Sequence, residues 1–223
     1  MIHEINLVYI LSSIFFLFFL IREFVSYKRY LPLKYFFTPS LTLILVIMMI
    51  LSISAYGTDK YRLMIILSLL MALVADTQLM IEEISLMKNG AVFFIIGHIF
   101  YIAAFADNVA FNSWNIAVIV ILAAVNLVFF RILIKSAGKK SVQAILYILI
   151  LDLVVYFAIA RLNNSLSLSG ILAASGAILF MISDFILITN AFIKAIPHST
   201  VFTWLFYGPA QYLIVLSTFV FVK

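Results

Sequence analysis

The chain has no cysteine and few charged residues, which a disulfide-stabilised or a water-soluble protein would need. None of its 223 residues is cysteine, which excludes disulfides, a thiolate nucleophile and any cysteine-ligated metal site. Only 10% of the residues are charged, too few to cover the surface of a soluble globule. No segment has the composition of a flexible linker or a low-complexity region.

Hydrophobic residues fill the sequence instead and make up 66% of it. A helix needs about 20 mostly apolar residues to cross the hydrocarbon core of a bilayer. We therefore predict an all-α fold, a polytopic transmembrane bundle of eight helices with short loops, forming one domain over residues 1–223. The predicted spans are 5–21, 40–56, 61–81, 90–107, 114–134, 142–160, 168–190 and 200–222.

The basic residues predict the orientation in the membrane. Even-numbered connections carry only Lys60, Arg62 and Arg161, and Lys223 follows the last span on the same side. By the positive-inside rule both termini face away from the cytoplasm, and we expect an integral protein of a bacterial cytoplasmic membrane. Ten basic residues lie in the odd-numbered connections: Arg22, Lys28, Arg29, Lys34, Lys88, Arg131, Lys135, Lys139, Lys140 and Lys194.

These loop positions also account for the net charge of +5, so no nucleic-acid partner is expected. The first apolar run follows Glu4 rather than a basic residue, and no small-residue cleavage site closes it. We interpret it as a retained span rather than a signal peptide.

Four polar residues are predicted to share one layer of the bundle. Asp76 and Asp184 each lie about six residues from the cytoplasmic end of a span, or roughly 9 Å deep at 1.5 Å per residue. His98 and Tyr207 enter from the same side to a depth of roughly 12 Å. The four side chains come from spans three, seven, four and eight.

A charged group in the hydrocarbon region is costly unless it faces the bundle interior, a partner or water. Two carboxyl groups that converge there oppose each other's ionisation, so one can stay protonated as a general acid while the other is ionised. That arrangement is a catalytic pair in principle. The same residues also fit an ion or proton path, or structural hydrogen bonds between helices, and the residues alone leave these alternatives open.

Three further polar residues are candidates for substrate contact. Asp152 lies in the middle of span six, where it is either structural or supports the site, and it could face Gln211 of the last span. Asn190 closes span seven, where a solvated helix end is the alternative interpretation.

Two serines are close to the acids in sequence. Ser68 stands two helical turns before Asp76, and Ser183 directly precedes Asp184. Hydroxyl groups in spans usually bond to the carbonyls of their own helix. A serine nucleophile would need His98 as its base, and we regard that mechanism as the weaker one.

The histidines do not predict a metal site. His3 lies in the N-terminal tail and His198 in a loop, on opposite sides of the membrane in the predicted topology. A three-histidine zinc site is therefore not expected, and neither a metal nor another cofactor is predicted.

A weak internal repeat relates the two halves of the chain. Residues 70–76 and 178–184 are apolar runs that each end in aspartate, 108 residues apart. Four spans separate them, so spans three and seven would run in the same direction, as in a parallel repeat. Chance similarity between two apolar runs is the alternative.

Four spans resemble a known family. Residues 68–83 and 90–105 resemble the acidic span and the Gly-His span of the YhhN-like lysoplasmalogenase family. Residues 176–190, followed by Tyr207 and Gln211, resemble its second acidic span and its final Tyr-x-x-x-Gln helix. The chain departs from the family pattern at Ala75, where glycine is usual, and at Thr38-Pro39, where Lys-Pro is usual, so a head-group preference does not follow from the resemblance.

The resemblance implies an enzyme of lipid metabolism. Family members of animal origin hydrolyse the vinyl-ether bond of lysoplasmalogens to a fatty aldehyde and a glycerophospho-alcohol. Asp76 and Asp184 would be the acid and the base, in an order left open, and they would need no cofactor. Tyr101, together with His98, Tyr207 and Gln211, would orient the substrate or the water.

The expected partners are a lysophospholipid substrate and membrane lipids, while the oligomeric state stays open. The alternative function is a small-molecule or ion transporter that uses the buried acids as a path. A transporter usually has broken helices at the midplane. The scarcity of mid-span proline and the layering of the acids near one surface favour the enzyme.

Overall fold

Helices form nearly all of the part of the chain that the structure describes. The computed structural model covers residues 2–81, 86–107, 109, 112–164 and 167–219, with only the backbone given for 2–5, 163 and 164. A 3-10 turn, Gly138–Lys140, joins α5 to α6, and a π-helix, Thr189–Ile193, extends α7. The helices are α1 (Ile2–Tyr27), α2 (Leu31–Tyr56), α3 (Lys60–Leu79), α4 (Met87–Phe105), α5 (Ser113–Ala137), α6 (Ser141–Asn164), α7 (Leu168–Ile188) and α8 (Ser199–Leu216).

The structure bears out the all-α membrane bundle, but the predicted eight spans are slightly too many. Six described helical stretches are long and apolar enough to cross a membrane, and the stretch Ser113–Leu162, which contains α5, the 3-10 turn and most of α6, is counted as one of them. The last helix, α8, is not among the six. Gln211 and the Gly208-Pro209 pair lower the hydropathy of this helix.

The chain nevertheless reverses direction between α5 and α6. Gly138 has a φ of +53°, a left-handed conformation that glycine adopts without steric cost. The Asn126 side chain of α5 donates a 2.5 Å hydrogen bond to Asp152 of α6. These two helices therefore pack antiparallel to each other.

The start of α1 and the end of α8 lie at the same end of the bundle, because the two helices are antiparallel. Tyr212 Oη donates to Ser12 Oγ at 3.0 Å near one end. The Arg22 guanidinium lies 4.3 Å from the centre of the Trp204 ring near the other. Which side of the membrane the termini occupy stays a prediction from the charge bias.

Helix contacts in the two halves, α1–α4 and α5–α8, follow the same scheme. The most extensive packing is that of α3 on α4 and of α7 on α8, and α4 contacts α6 as α8 contacts α2. This is the arrangement expected of a parallel four-helix repeat.

Close helix crossings occur at equivalent places in the two halves. A Cβ atom on Gly97 of α4 would lie 3.3 Å from the carbonyl oxygen of Ser68 in α3. A Cβ on Gly176 of α7 would lie 2.8 Å from the carbonyl oxygen of Ala210 in α8. Small residues allow helix backbones to approach closely in membranes, and these crossings fix how α3 meets α4 and α7 meets α8.

Polar contacts connect the helices at the end of the bundle where α1 begins and α8 ends. Arg62 of α3 donates to the Thr218 carbonyl oxygen at 3.0 Å and to Ser52 Oγ at 3.2 Å. Tyr61 Oη and Ser217 Oγ are 2.6 Å apart. The positive charge of Arg62 at the C-terminal end of α8 also complements the dipole of that helix. Together these contacts hold α2, α3 and α8 against one another at this end.

The Gly176 crossing gives a stability prediction. Gly176→Val would force its side chain against the α8 backbone and lower the free energy of unfolding by about 1–3 kcal/mol. The measurement is SDS-induced unfolding of the protein in micelles. Ala124→Val, on the exposed face of α5, is the matched control, and equal unfolding midpoints for the two variants would contradict the close crossing.

Candidate active site

A cavity of about 470 Å³ lies where α3 and α7 end, and both Asp76 and Asp184 line it. Each acid sits about one helical turn before the end of its helix. The structure thus brings the two sequence-predicted acids into one space.

Asp76 accepts two hydrogen bonds on one oxygen. Thr42 Oγ1 of α2 donates to Asp76 Oδ2 at 2.7 Å, and Tyr207 Oη of α8 donates to the same atom at 2.9 Å. The Asp76 residue is 4% exposed. Two fixed donors hold this carboxyl group in one orientation and compensate for its burial.

A directed chain of hydrogen bonds leads to Asp76. Tyr101 Oη donates to Gln211 Oε1, and Gln211 Nε2 donates to Tyr207 Oη at 3.2 Å. An amide nitrogen can only donate, and a phenol has a single proton to donate. Tyr207 therefore accepts from Gln211 and donates to Asp76, so every hydrogen bond in the chain points towards Asp76. Tyr101 and Gln211 therefore position Tyr207.

Asp184 has a different set of neighbours. Tyr147 Oη of α6 donates to Asp184 Oδ2 at 2.6 Å. His98 Nδ1 lies 2.5 Å from the Phe94 carbonyl oxygen and must donate to it, since a carbonyl only accepts. His98 Nε2 is then the nitrogen that faces Asp184 Oδ2, at 3.8 Å.

The surroundings of the two acids repeat between the halves of the molecule. Each acid accepts a hydrogen bond from a hydroxyl on the helix before its own, Thr42 for Asp76 and Tyr147 for Asp184. An aromatic ring from the last helix of the other half also lies next to each acid. This ring is Tyr207 of α8 for Asp76 and His98 of α4 for Asp184. This equivalence supports the predicted repeat.

Thr42 and Tyr147 were not predicted from the sequence. They stand 34 and 37 residues before their respective acids, and neither belongs to a recognisable local pattern. Threonine and tyrosine are ordinary residues in membrane spans. The one signal that could have indicated them is the near-equal spacing to the two acids in the repeat.

Three of the other predicted residues, Ser183, Asn190 and Ser68, lie in two places. Ser183 and Asn190 line the cavity with the acids, and Asn190 Oδ1 also accepts from the Ile196 backbone at 2.8 Å. Ser68 lies at the α3–α4 crossing, outside the linings of both cavities described here.

Asp152 lies apart from the site. It is bonded to Asn126 within the α5–α6 hairpin and belongs to neither cavity lining. Gln211, its suggested partner, is instead bonded to Tyr101 and Tyr207. Asp152 therefore connects α5 and α6 and does not share a cavity with Asp76 and Asp184.

Two basic residues predicted to lie in a connection line the cavity instead. Arg22 and Lys34 are within α1 and α2, because these helices run to Tyr27 and from Leu31, beyond the predicted span ends. Arg22 is 0% and Lys34 is 3% exposed. The predicted loop position of Arg22 and Lys34 is wrong, because both helices continue past their apolar segments into residues that face the cavity.

A second, mostly apolar cavity of about 720 Å³ adjoins the first. The two linings share Leu79, Met87, Phe94 and Leu187. Tyr147, whose hydroxyl is bonded to Asp184, also lines the second cavity, so the apolar space reaches the neighbourhood of one acid.

An all-α membrane bundle with two buried acids in one cavity defines a class, that of polytopic membrane proteins with a carboxylate site. The model of the YhhN family matches residues 33–218, which is most of the chain. The chain therefore belongs to the YhhN family, as the sequence resemblance indicated. Comparison with curated proteins and with solved structures finds no significant match.

The hydrogen bond to Asp184 gives a prediction. Tyr147→Phe would leave one Asp184 oxygen without its donor and lower the unfolding free energy by about 1–2 kcal/mol. Tyr9→Phe removes the same hydroxyl from a residue that is 69% exposed and is the control. Identical SDS unfolding curves for the two variants would show that the bond contributes nothing.

Proposed function

We propose that the protein is an intramembrane lipid hydrolase that cleaves the vinyl-ether bond of lysoplasmalogens. The products would be a fatty aldehyde and a glycerophospho-alcohol. The observation that carries this proposal is the shared cavity of Asp76 and Asp184. Membership of the YhhN family supports it.

Two carboxyl groups suffice for the chemistry. A protonated carboxyl donates its proton to the β-carbon of the vinyl ether, which gives an oxocarbenium-like cation. The ionised carboxylate stabilises this cation and takes a proton from the attacking water, a division of labour also seen in glycosidases. The resulting hemiacetal then breaks its carbon–oxygen bond to release aldehyde and alcohol, and one water is consumed overall.

The hydrogen bonds favour one assignment of the two roles. Asp76 accepts from both Thr42 and Tyr207, which suits it to remain the ionised carboxylate. Among the described residues, Asp184 accepts a hydrogen bond from Tyr147 alone and faces a His98 nitrogen that has no hydrogen-bond partner. Asp184 would therefore be the acid, because His98 Nε2 carries no proton and faces the carboxyl group as an acceptor. The hydroxyl proton that the hemiacetal loses when it breaks down would restore the acid after each turnover.

The two cavities match the two ends of the proposed substrate. The apolar cavity, with Val92, Ile95 and Phe192 in its lining, would receive the alkyl chain from the membrane. The cavity of the acids would receive the polar glycerophospho group. The vinyl-ether bond connects these two parts, and it would cross the shared wall beside Asp184.

The transport alternative has less support. A path through the membrane needs polar groups over the full thickness of the bundle. Both cavities described here lie at the end where α3 and α7 terminate, and Arg62 fastens helices together at the opposite end.

The acids give the central activity prediction. Purified protein should release fatty aldehyde from a vinyl-ether lysolipid, and Asp76→Asn and Asp184→Asn should each lower the rate by about 100-fold or more. Asp152→Asn is the matched control, because this buried acid lies outside both cavities. Activity that survives both cavity substitutions would refute the carboxylate mechanism.

The apolar cavity gives a prediction on chain length. Ala91 is half-buried in its lining, and Ala91→Phe would shorten the space available to the alkyl chain. We expect kcat/KM to fall for long-chain substrates and to change little for short-chain ones. Ala124→Phe on the exposed face of α5 is the control. A uniform loss over all chain lengths would contradict this location of the chain.

A further inference from the structure

We propose that Arg22, Lys34 and Thr38 form a subsite for a phosphate ester anion in the cavity of the two acids. The inference rests on the proposed function and specifies how the polar end of the substrate is bound. It concerns the first two helices, which the site chemistry described above uses only through Thr42.

Arg22 presents an unused hydrogen-bonding edge. Its Nη1 donates to Glu23 Oε1 at 2.6 Å and to the Thr200 carbonyl oxygen at 3.4 Å. Its Nε and Nη2 atoms are buried and have no partner among the described residues. These two nitrogens form the side-on edge with which a guanidinium binds two oxygens of a phosphate or carboxylate.

Such an edge is costly when it is buried without an acceptor. Each unpaired donor loses its hydrogen bonds to water, and the loss is larger for a charged group. Glu23 offsets part of the charge but leaves this edge unsatisfied. The Trp204 ring, 4.3 Å from Arg22 Cζ, holds the guanidinium plane in place.

Lys34 and Thr38 extend the subsite from α2. They are four residues apart, so their side chains lie on the same helix face, and both line the cavity with Arg22. Thr38 is 1% exposed, and its Oγ1 has no partner among the described residues. The unpaired donors of Arg22 and Thr38 thus border the same cavity, and Lys34 adds a positive charge to its lining.

A phosphate ester fits this set best. Its non-bridging oxygens accept several hydrogen bonds at once, and its charge balances the cations. A carboxylate could use the arginine edge but has fewer oxygens for Lys34 and Thr38. The phosphate could belong to a lipid head group or be free in solution, and the experiment must distinguish these two sources.

The experiment uses the purified full chain and two alkenyl substrates, a glycerophosphoethanolamine and the alkenylglycerol that lacks phosphate. For Arg22→Met we expect KM for the phosphorylated substrate to rise about 10- to 100-fold while kcat is retained. KM for the alkenylglycerol should not change. The KM of Arg22→Lys for the phosphorylated substrate should lie between those of the wild type and Arg22→Met, because lysine keeps the charge but lacks the edge that binds two oxygens.

Lys135→Gln is the control for charge removal, since this exposed lysine of α5 lies at the same end of the bundle outside both linings. An equal rise in KM for Lys135→Gln, or for the alkenylglycerol, would overturn the proposal.

Inhibition of the wild type by the two possible sources of phosphate distinguishes them. Inhibition by glycerophosphoethanolamine but not by inorganic phosphate would assign the site to a lipid head group, and inhibition by inorganic phosphate alone would assign it to free phosphate. Inhibition by neither compound would also overturn the proposal.

A binding measurement separates this inference from the proposed reaction. A saturated alkyl-ether lysophospholipid cannot be hydrolysed at a vinyl-ether bond, and we expect it to raise the unfolding temperature of the wild type. The Arg22→Met and Thr38→Val proteins should show smaller shifts. If that dependence appears without any vinyl-ether hydrolysis, the phosphate subsite stands and the proposed reaction fails. Equal shifts in all three proteins would refute the subsite.

Discussion

The burial of Asp76 and Asp184 in apolar helices is the constraint on which the rest of the structure depends. Carboxyl groups at this depth need donors, and the sequence supplies them from other helices, Thr42 and Tyr207 for one acid and Tyr147 for the other. Every helix that carries a donor must pack at a fixed height and rotation. The polar contacts therefore specify the bundle, which apolar packing alone would leave loosely defined.

The two halves of the molecule meet this constraint in the same way. Close crossings at Gly97 and Gly176 place α4 and α8 against the helices that carry the acids. His98 and Tyr207 then reach across to the acid of the opposite half. Neither acid is enclosed by its own half alone, so the site exists only in the complete bundle.

Much of the fold and part of the site could be predicted from the sequence. The sequence predicts Asp76, Asp184 and His98 as site residues, because ionisable side chains are rare in apolar runs. Thr42 and Tyr147 were not, since hydroxyl residues are common in spans and their partners are distant in sequence. Arg22 was misplaced in a loop because composition cannot show that a helix continues past its apolar part, or that a cation is buried against Trp204.

In the proposed reaction Asp184 transfers its proton to the β-carbon of the vinyl ether, and isotope labelling tests this step most directly. When a vinyl-ether lysolipid is hydrolysed in deuterium oxide, protonation of the β-carbon should place one deuterium on the carbon next to the aldehyde group. Mass spectrometry should find this label in the product of the wild type and no product from Asp184→Asn. Unlabelled aldehyde, or labelled aldehyde formed at the wild-type rate by Asp184→Asn, would contradict proton transfer from Asp184.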